Sequence, residues 1–104
     1  MKIASHEILI VDNPLPRPFM SGGTVASSAL RHVILKLRTD DGIEGLGWSF
    51  SHSPVMIPAL ASAIDDAANH IKGQDPMLRD KIRKELHRVI QWSGPGMSDV
   101  VQAT

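Results

Sequence analysis

The chain predicts an α+β domain in which strands come first and helices follow. Two observations carry that reading. Apolar and β-branched runs bracketed by turn residues fill the first half, up to Phe50, and apolar residues at helical spacing fill the second. With 104 residues there is room for one domain and a modest core. Hydrophobic residues make up 42% of the chain but aromatics only 4%, so that core must be largely aliphatic.

The first element spans residues 2–12, where Ile8, Leu9, Ile10 and Val11 are dense enough to predict a strand covered on both faces. A loop from Asn13 to Ala26 follows, holding Pro14, Pro16, Pro18, Gly22 and Gly23. A segment of that length without internal structure is either functional or disordered. Its prolines stiffen the first half and its glycines loosen the second, as in a flap, and disorder stays open as the alternative.

Leu30 to Phe50 reads as a hairpin, because Asp41-Gly42 lies between two apolar runs. A two-residue turn there pairs Leu37 with Leu46, Leu35 with Trp48 and Val33 with Phe50, putting all six on one face. A three-residue loop with a glycine bulge shifts that register by one, and both remain open. Gly45 and Gly47 weaken the second strand, which predicts close packing against it.

Ser53-Pro54 has the form of an N-cap followed by proline in the first turn. Ile57, Leu60, Ala61, Ile64, Ala68 and Ile71 then recur at helical spacing, with Gly73 as a left-handed terminator. Asp75-Pro76 repeats the starting device. Leu78, Ile82, Leu86, Val89 and Ile90 form the buried stripe of a second helix, whose other face carries Asp80 and Lys84 at i, i+4 spacing. Gly94-Pro95-Gly96 breaks the chain, and Met97 to Thr104 opens a third helix. That helix stops after about two turns without a cap, which predicts a piece of a longer polypeptide.

Eleven basic and eleven acidic residues cancel, and no basic stripe stands out, so nucleic-acid binding lacks its electrostatic footprint. No apolar run approaches the roughly 20 residues of a membrane span. Zero cysteines exclude disulfides and thiolate metal sites, and fit a cytoplasmic protein. Glu7, Glu44 and Glu85 stand on separate elements. Asp65 and Asp66 diverge by about 100° on one helix and cannot chelate one ion together. The five histidines form no metal-ligand spacing, and the glycines match neither a phosphate loop nor a dinucleotide fingerprint. A complete active site within these residues is not predicted.

Seven residues suit ligand contact instead. Arg17 can pair with a carboxylate or stay solvated. Phe19, Met20 and Ser21 continue that loop, and its two apolar side chains need covering by this domain's core or by something else. Trp48 and Phe50 are core residues by default, with one edge near a pocket as the functional reading. His52 lies between two serines just before a helix, where a surface position is the plain alternative.

Three stretches, VDNPLPRPFMSGGT after the first strand, the hairpin RHVILKLRTDDGIEGLGWSF, and HIKGQDPMLRDKI across the helix junction, together resemble one family. It is the N-terminal capping domain of the enolase superfamily, in the mandelate racemase and muconate lactonizing enzyme branch. The resemblance implies a three-stranded antiparallel meander followed by a helical bundle. It also implies a partner domain in the same chain, a (β/α)-barrel holding Mg²⁺ and the acid/base residues. Neither the Lys-x-Lys pair of that barrel nor its carboxylate ligands fall within residues 1–104. The implied substrate is an α-hydroxy acid or acid sugar, undergoing racemisation or dehydration. Pro16 to Thr24 and Trp48 to His52 map to the two loops that select it, and Trp48 matches a substrate-facing aromatic. A homo-oligomer is expected, because a cap without its barrel exposes apolar surface. A self-contained small-ligand or protein-interaction module is the rival reading.

Overall fold

The computed structural model describes the backbone of residues 1–21, 25–51 and 54–104, and their side chains outside 19–27 and 51–54. Three strands, β1 (Ile3–Ser21), β2 (Val25–Thr39) and β3 (Glu44–Ser51), precede three helices, α1 (Ile57–His70), α2 (Arg79–Ile90) and α3 (Pro95–Ala103). Short 3₁₀ turns, Pro54–Met56 and Gln91–Ser93, lead out of β3 and α2. The sheet is an antiparallel meander in the order β1-β2-β3. All three helices lie over one of its faces. The shortest dimension of the molecule, 19 Å, matches one sheet layer and one helix layer.

The hairpin between β2 and β3 takes the three-residue loop. Thr39 N–H donates to the Ile43 carbonyl (2.9 Å), Gly42 N–H donates to the Thr39 carbonyl (3.1 Å), and the Thr39 hydroxyl accepts from Ile43 N–H (3.0 Å). A two-residue type I′ turn requires positive φ at both central positions. Among the described residues only glycines have positive φ, and Gly42 sits at +86° while Asp41 does not. The loop therefore turns through Asp40 and Asp41 and closes on Gly42.

That single step moves every side chain on β3. Leu37 pairs with Gly45, Leu35 with Gly47 and Val33 with Ser49, whereas Lys36 pairs with Leu46, Ile34 with Trp48 and His32 with Phe50. Val33, Leu35 and Leu37 thus face the helices together with the glycines. Leu46, Trp48 and Phe50 face away, exposed to 69%, 60% and 46%. The grouping of all six apolar residues on one face is overturned, and so is the core placement of Trp48 and Phe50.

The strand β1 is far longer than residues 2–12, because Asn13 to Ser21 continue it. The pairing runs from Ile3–Thr39 to Pro14–Ala29, slips between Pro14 and Phe19, and resumes from Phe19–Ser27 to Ser21–Val25. Prolines argue for a loop only where a ladder needs their missing N–H. β1 lies at the sheet's edge, where proline interrupts no second ladder. Nor is β1 covered on both faces. Leu9, Ile10 and Val11 are all exposed, and only Ile8 packs against the core.

The core sits between the inner sheet face and α1. Ile57, Leu60, Ile64, Ala68 and Ile71 are buried against Ile3, Val33 and Leu35, with Ala61 packed beside them. Gly73 ends α1 in the left-handed region at φ +83°. Its N–H donates to the Ile3 carbonyl (2.8 Å), tying the helix connection to the start of β1. The second helix begins later than Asp75-Pro76 predicts. Asp75 forms a turn by accepting from Met77 N–H (2.9 Å), and helical geometry starts at Arg79. Of its expected stripe Leu86 is buried and Ile82 and Ile90 pack against the core, while Leu78 and Val89 are exposed. Its Asp80 and Lys84 are both exposed.

Glycine spacing on β3 has its reason at one position. A Cβ built on Gly47 would lie 1.6 Å from the Thr104 carbonyl oxygen, so the end of α3 rests directly on this strand. At Gly45 nothing lies within 4 Å of the same test atom.

Candidate functional site

Both segments singled out for ligand contact emerge at the same end of the sheet. β3 ends where Ser51 pairs with Arg31, and the β1–β2 hairpin runs on past that point to Ser21–Val25. Six further residues of β2, from Arg31 to Val25, give this arm a reach on the order of 20 Å at strand rise. An ion pair closes its base. Arg31 donates from Nε to Asp12 Oδ1 (2.7 Å) and from a terminal nitrogen to Oδ2 (3.2 Å), across the register pair Asp12–Arg31. That hydrogen bond holds the Asp12 carboxyl below the usual carboxylate range and raises Arg31.

Trp48 and Phe50 stand side by side on the outer face, with ring centroids 6.4 Å apart. The imidazole of His32 completes the group, 5.5 Å from Trp48 and 5.8 Å from Phe50. Arg17 lies on the arm, exposed, and makes no ion pair among the described residues. Phe19, Met20 and Ser21 continue the same strand toward its tip. Their side chains lie outside the described residues, and His52 lies outside them altogether. The sheet therefore brings Trp48 and Phe50 together and carries Arg17 to Ser21 away from them along the arm. Sequence reasoning missed His32. The one-residue register shift would have found it, since that shift sets His32 opposite Phe50.

The remaining titratable contacts are structural. His6, whose side chain is 7% exposed, has Nε2 at 2.6 Å from Asp65 Oδ1, linking β1 to α1. His70 Nε2 lies 3.2 Å from Glu85 Oε1, and the Gln74 amide donates to Oε2 of the same carboxylate (3.1 Å), linking α1 to α2. At the opposite end of the outer face, Lys36 lies 4.0 Å from Glu7 and 3.8 Å from Glu44, which also binds Arg38. The Arg38 hydrogen bond, with the added charge of Lys36, holds the Glu44 carboxyl below its ordinary range.

Among the described residues no cluster of three or more histidines or carboxylates is close enough to hold a metal ion. Scattered singly or in pairs, the carboxylates and imidazoles of these described residues do not fit a magnesium site. A crevice of about 490 Å³ floored by Ile3, Leu37, Ile71 and Leu86 opens on the helix side of the sheet, away from Trp48. No helix is long and apolar enough to cross a membrane among the described residues.

The architecture has close counterparts. An L-talarate/galactarate dehydratase from Salmonella typhimurium LT2, liganded with Mg and L-lyxarohydroxamate, superposes with a TM-score of 0.80 at 24% identity. The match covers 93% of this chain and 26% of that one. A racemase from Streptomyces coelicolor A3(2) with bound magnesium gives 0.83 at 19% identity, covering 96% and 29%. An enolase from Bradyrhizobium complexed with magnesium and mandelic acid gives 0.75 at 17%, covering 89% and 25%. The chain thus spans about a quarter of the length of the structures it resembles. The sequence model for the mandelate racemase / muconate lactonizing enzyme N-terminal domain matches residues 5–103. With the meander and the helices in the order that fold requires, the chain belongs to the mandelate racemase / muconate lactonizing enzyme N-terminal domain family of the enolase superfamily.

Proposed function

We propose that this chain is the substrate-capping domain of a Mg²⁺-dependent enzyme that removes a proton α to a carboxylate, as a racemase or acid-sugar dehydratase. The observation that carries this reading is the match of the family's N-terminal domain to residues 5–103, with the long arm and the end of β3 pointing the same way. Magnesium in such an enzyme stabilises the enediolate formed when the proton leaves, and its ligands would come from a barrel domain outside these residues.

The work of residues 1–104 is then to exclude water and to choose the substrate. Arg17, without an ion-pair partner among the described residues, offers its guanidinium to a substrate carboxylate. Phe19, Met20 and Ser21 extend the arm over the barrel mouth, Trp48 and Phe50 close it from the side of β3, and His52, two residues on in sequence, is assigned to the same contact set. Support for an α-hydroxy acid or acid sugar comes from the ligands named with the structural relatives, L-lyxarohydroxamate and mandelic acid. The absence of cysteine from the sequence supports a cytoplasmic setting.

The test has two arms. Reading the coding sequence after Thr104 comes first: alternating strands and helices opening on a Lys-x-Lys strand support the cap, and a stop codon supports a self-contained binding module. Assaying the 104 residues with Mg²⁺ comes second, alone and joined to any encoded barrel. Turnover by the isolated 104 residues overturns the division of labour.

A further inference from the structure

The crevice on the helix side lies between the sheet and α2, at the end of the sheet opposite the arm, where Ile3 pairs with Thr39 beside the hairpin loop. Its floor is aliphatic, with Ile3 and Leu37 from the sheet, Ile71 at the end of α1, and Ile82 and Leu86 from α2. Two cations share that lining. Arg79 and Arg83 lie one turn apart on α2, on the face that carries Ile82 and Leu86, and both are exposed. The stripe that apolar spacing drew through Leu78 and Val89 is exposed instead. The face of α2 toward the crevice therefore reads Arg79, Ile82, Arg83 and Leu86, half cationic and half apolar. Among the described residues neither guanidinium makes an ion pair, although Asp80 lines the same crevice. Like charges at i, i+4 weaken a helix, and no ion pair here offsets them.

We infer that this crevice is a second ligand site, one that takes a small carboxylic acid with an apolar body. Three features select that class. The first is size, since about 490 Å³ falls within the ~300–1,000 Å³ of small-molecule pockets. The second is the floor. Five aliphatic side chains bury an apolar body, whereas the hydroxyls of a sugar acid find no hydrogen-bond partner on them. The third is charge. Two guanidiniums against one carboxylate leave the lining positive, and each guanidinium presents a fork of donors that matches a carboxylate. Past Arg83 the crevice opens into a polar hollow lined also by Lys84, His87 and Asp99. The head group of the ligand thus sits at Arg79 and Arg83, and its apolar body lies beneath α2. This site is separate from the capping role, because it needs neither the arm nor Trp48.

The experiment titrates the 104-residue chain with octanoate, octanol and gluconate up to about 3 mM, reading amide NMR shifts and calorimetric heat. Arg79→Gln and Arg83→Gln remove the head-group contacts. Arg88→Gln, exposed on the same helix but outside the crevice lining, makes the same charge change as a control. The expected result is saturable octanoate binding with a Kd of ~0.1–1 mM and shifts centred on Ile3, Leu37, Ile71 and Leu86. Loss of a charged donor should weaken that binding about tenfold in the Arg79 and Arg83 variants and leave the Arg88 variant unchanged. Octanol should bind about tenfold more weakly than octanoate, and gluconate should leave these amides unmoved. Far-UV circular dichroism should match in all four proteins, because the three substitutions are exposed. Four results overturn the inference: no saturable shift, shifts centred on the outer sheet face around Trp48, equal weakening in the Arg88 variant, or octanol binding as tightly as octanoate. Binding that vanishes when the chain is joined to an encoded barrel overturns it as well, since the crevice is then a seat for that domain.

Discussion

The two faces of one sheet differ in what their residues have to satisfy. On the inner face Val33 is fully buried and Leu35 nearly so, pressed against Ile57 and Ile64 of α1. β3 brings almost no side chain there, because Gly45, Gly47 and Ser49 are its inner residues. On the outer face β3 carries its largest side chains, and no helix among the described residues covers them. One strand thus thins itself toward the helices, so that the end of α3 can rest on its backbone, and thickens itself on the other side. The buried core belongs to the inner face, and the large exposed side chains of β3 belong to the outer one.

Substitutions at matched positions break that contrast. The largest effect is expected for Ile64→Ala, which empties a fully enclosed site and should cost about 2–5 kcal/mol in denaturant unfolding. Gly47→Ala comes next. Its methyl group overlaps the Thr104 carbonyl, so α3 must shift, with a loss of about 1–3 kcal/mol and faster hydrogen exchange in α3. Gly45→Ala meets open space, and its stability should stay level or rise. Equal losses at the two glycines would mean that α3 does not hold the sheet. Trp48→Ser should change unfolding free energy by less than about 0.5 kcal/mol despite the size of the residue.

The smallest effect is electrostatic and belongs to the charged end of the outer face. Arg38 lowers the folded-state pKa of Glu44. The stability from that pair is therefore fully present above the ordinary glutamate value of about 4.3. It fades as pH falls through the lower folded-state value. In an NMR titration Arg38→Met should move the Glu44 midpoint upward, and an unchanged midpoint would remove the pair from consideration.

The helices were easier to read from the chain than the sheet was, for a physical reason. An amphipathic helix reports its buried face through local spacing, so Ile57, Leu60, Ile64, Ala68 and Ile71 could be identified with no knowledge of what they pack against. A strand's facing depends on register, and register turned on one dihedral angle at Asp41. Both hairpin registers were legible and the choice between them was not, which is why Trp48 and Phe50 looked like core. The arm was misjudged because three prolines count against a strand unless its place at the sheet edge is known. His6 with Asp65, 59 residues apart, leaves no trace in spacing at all. Of the candidate site, the two segments were named from the chain alone, while their shared end of the sheet, His32 and the Asp12–Arg31 closure were not.

The prolines at the sheet's edge have one more implication. A β-sheet grows sideways by hydrogen bonding to any bare flank, and β1 offers a poor one. Three of its residues lack an amide proton, and its ladder is offset at two places. Lateral pairing is therefore hindered along residues 14–18 of that flank. The punctuation that made residues 14–18 look like a loop thereby acts as a local guard on the exposed edge of the arm.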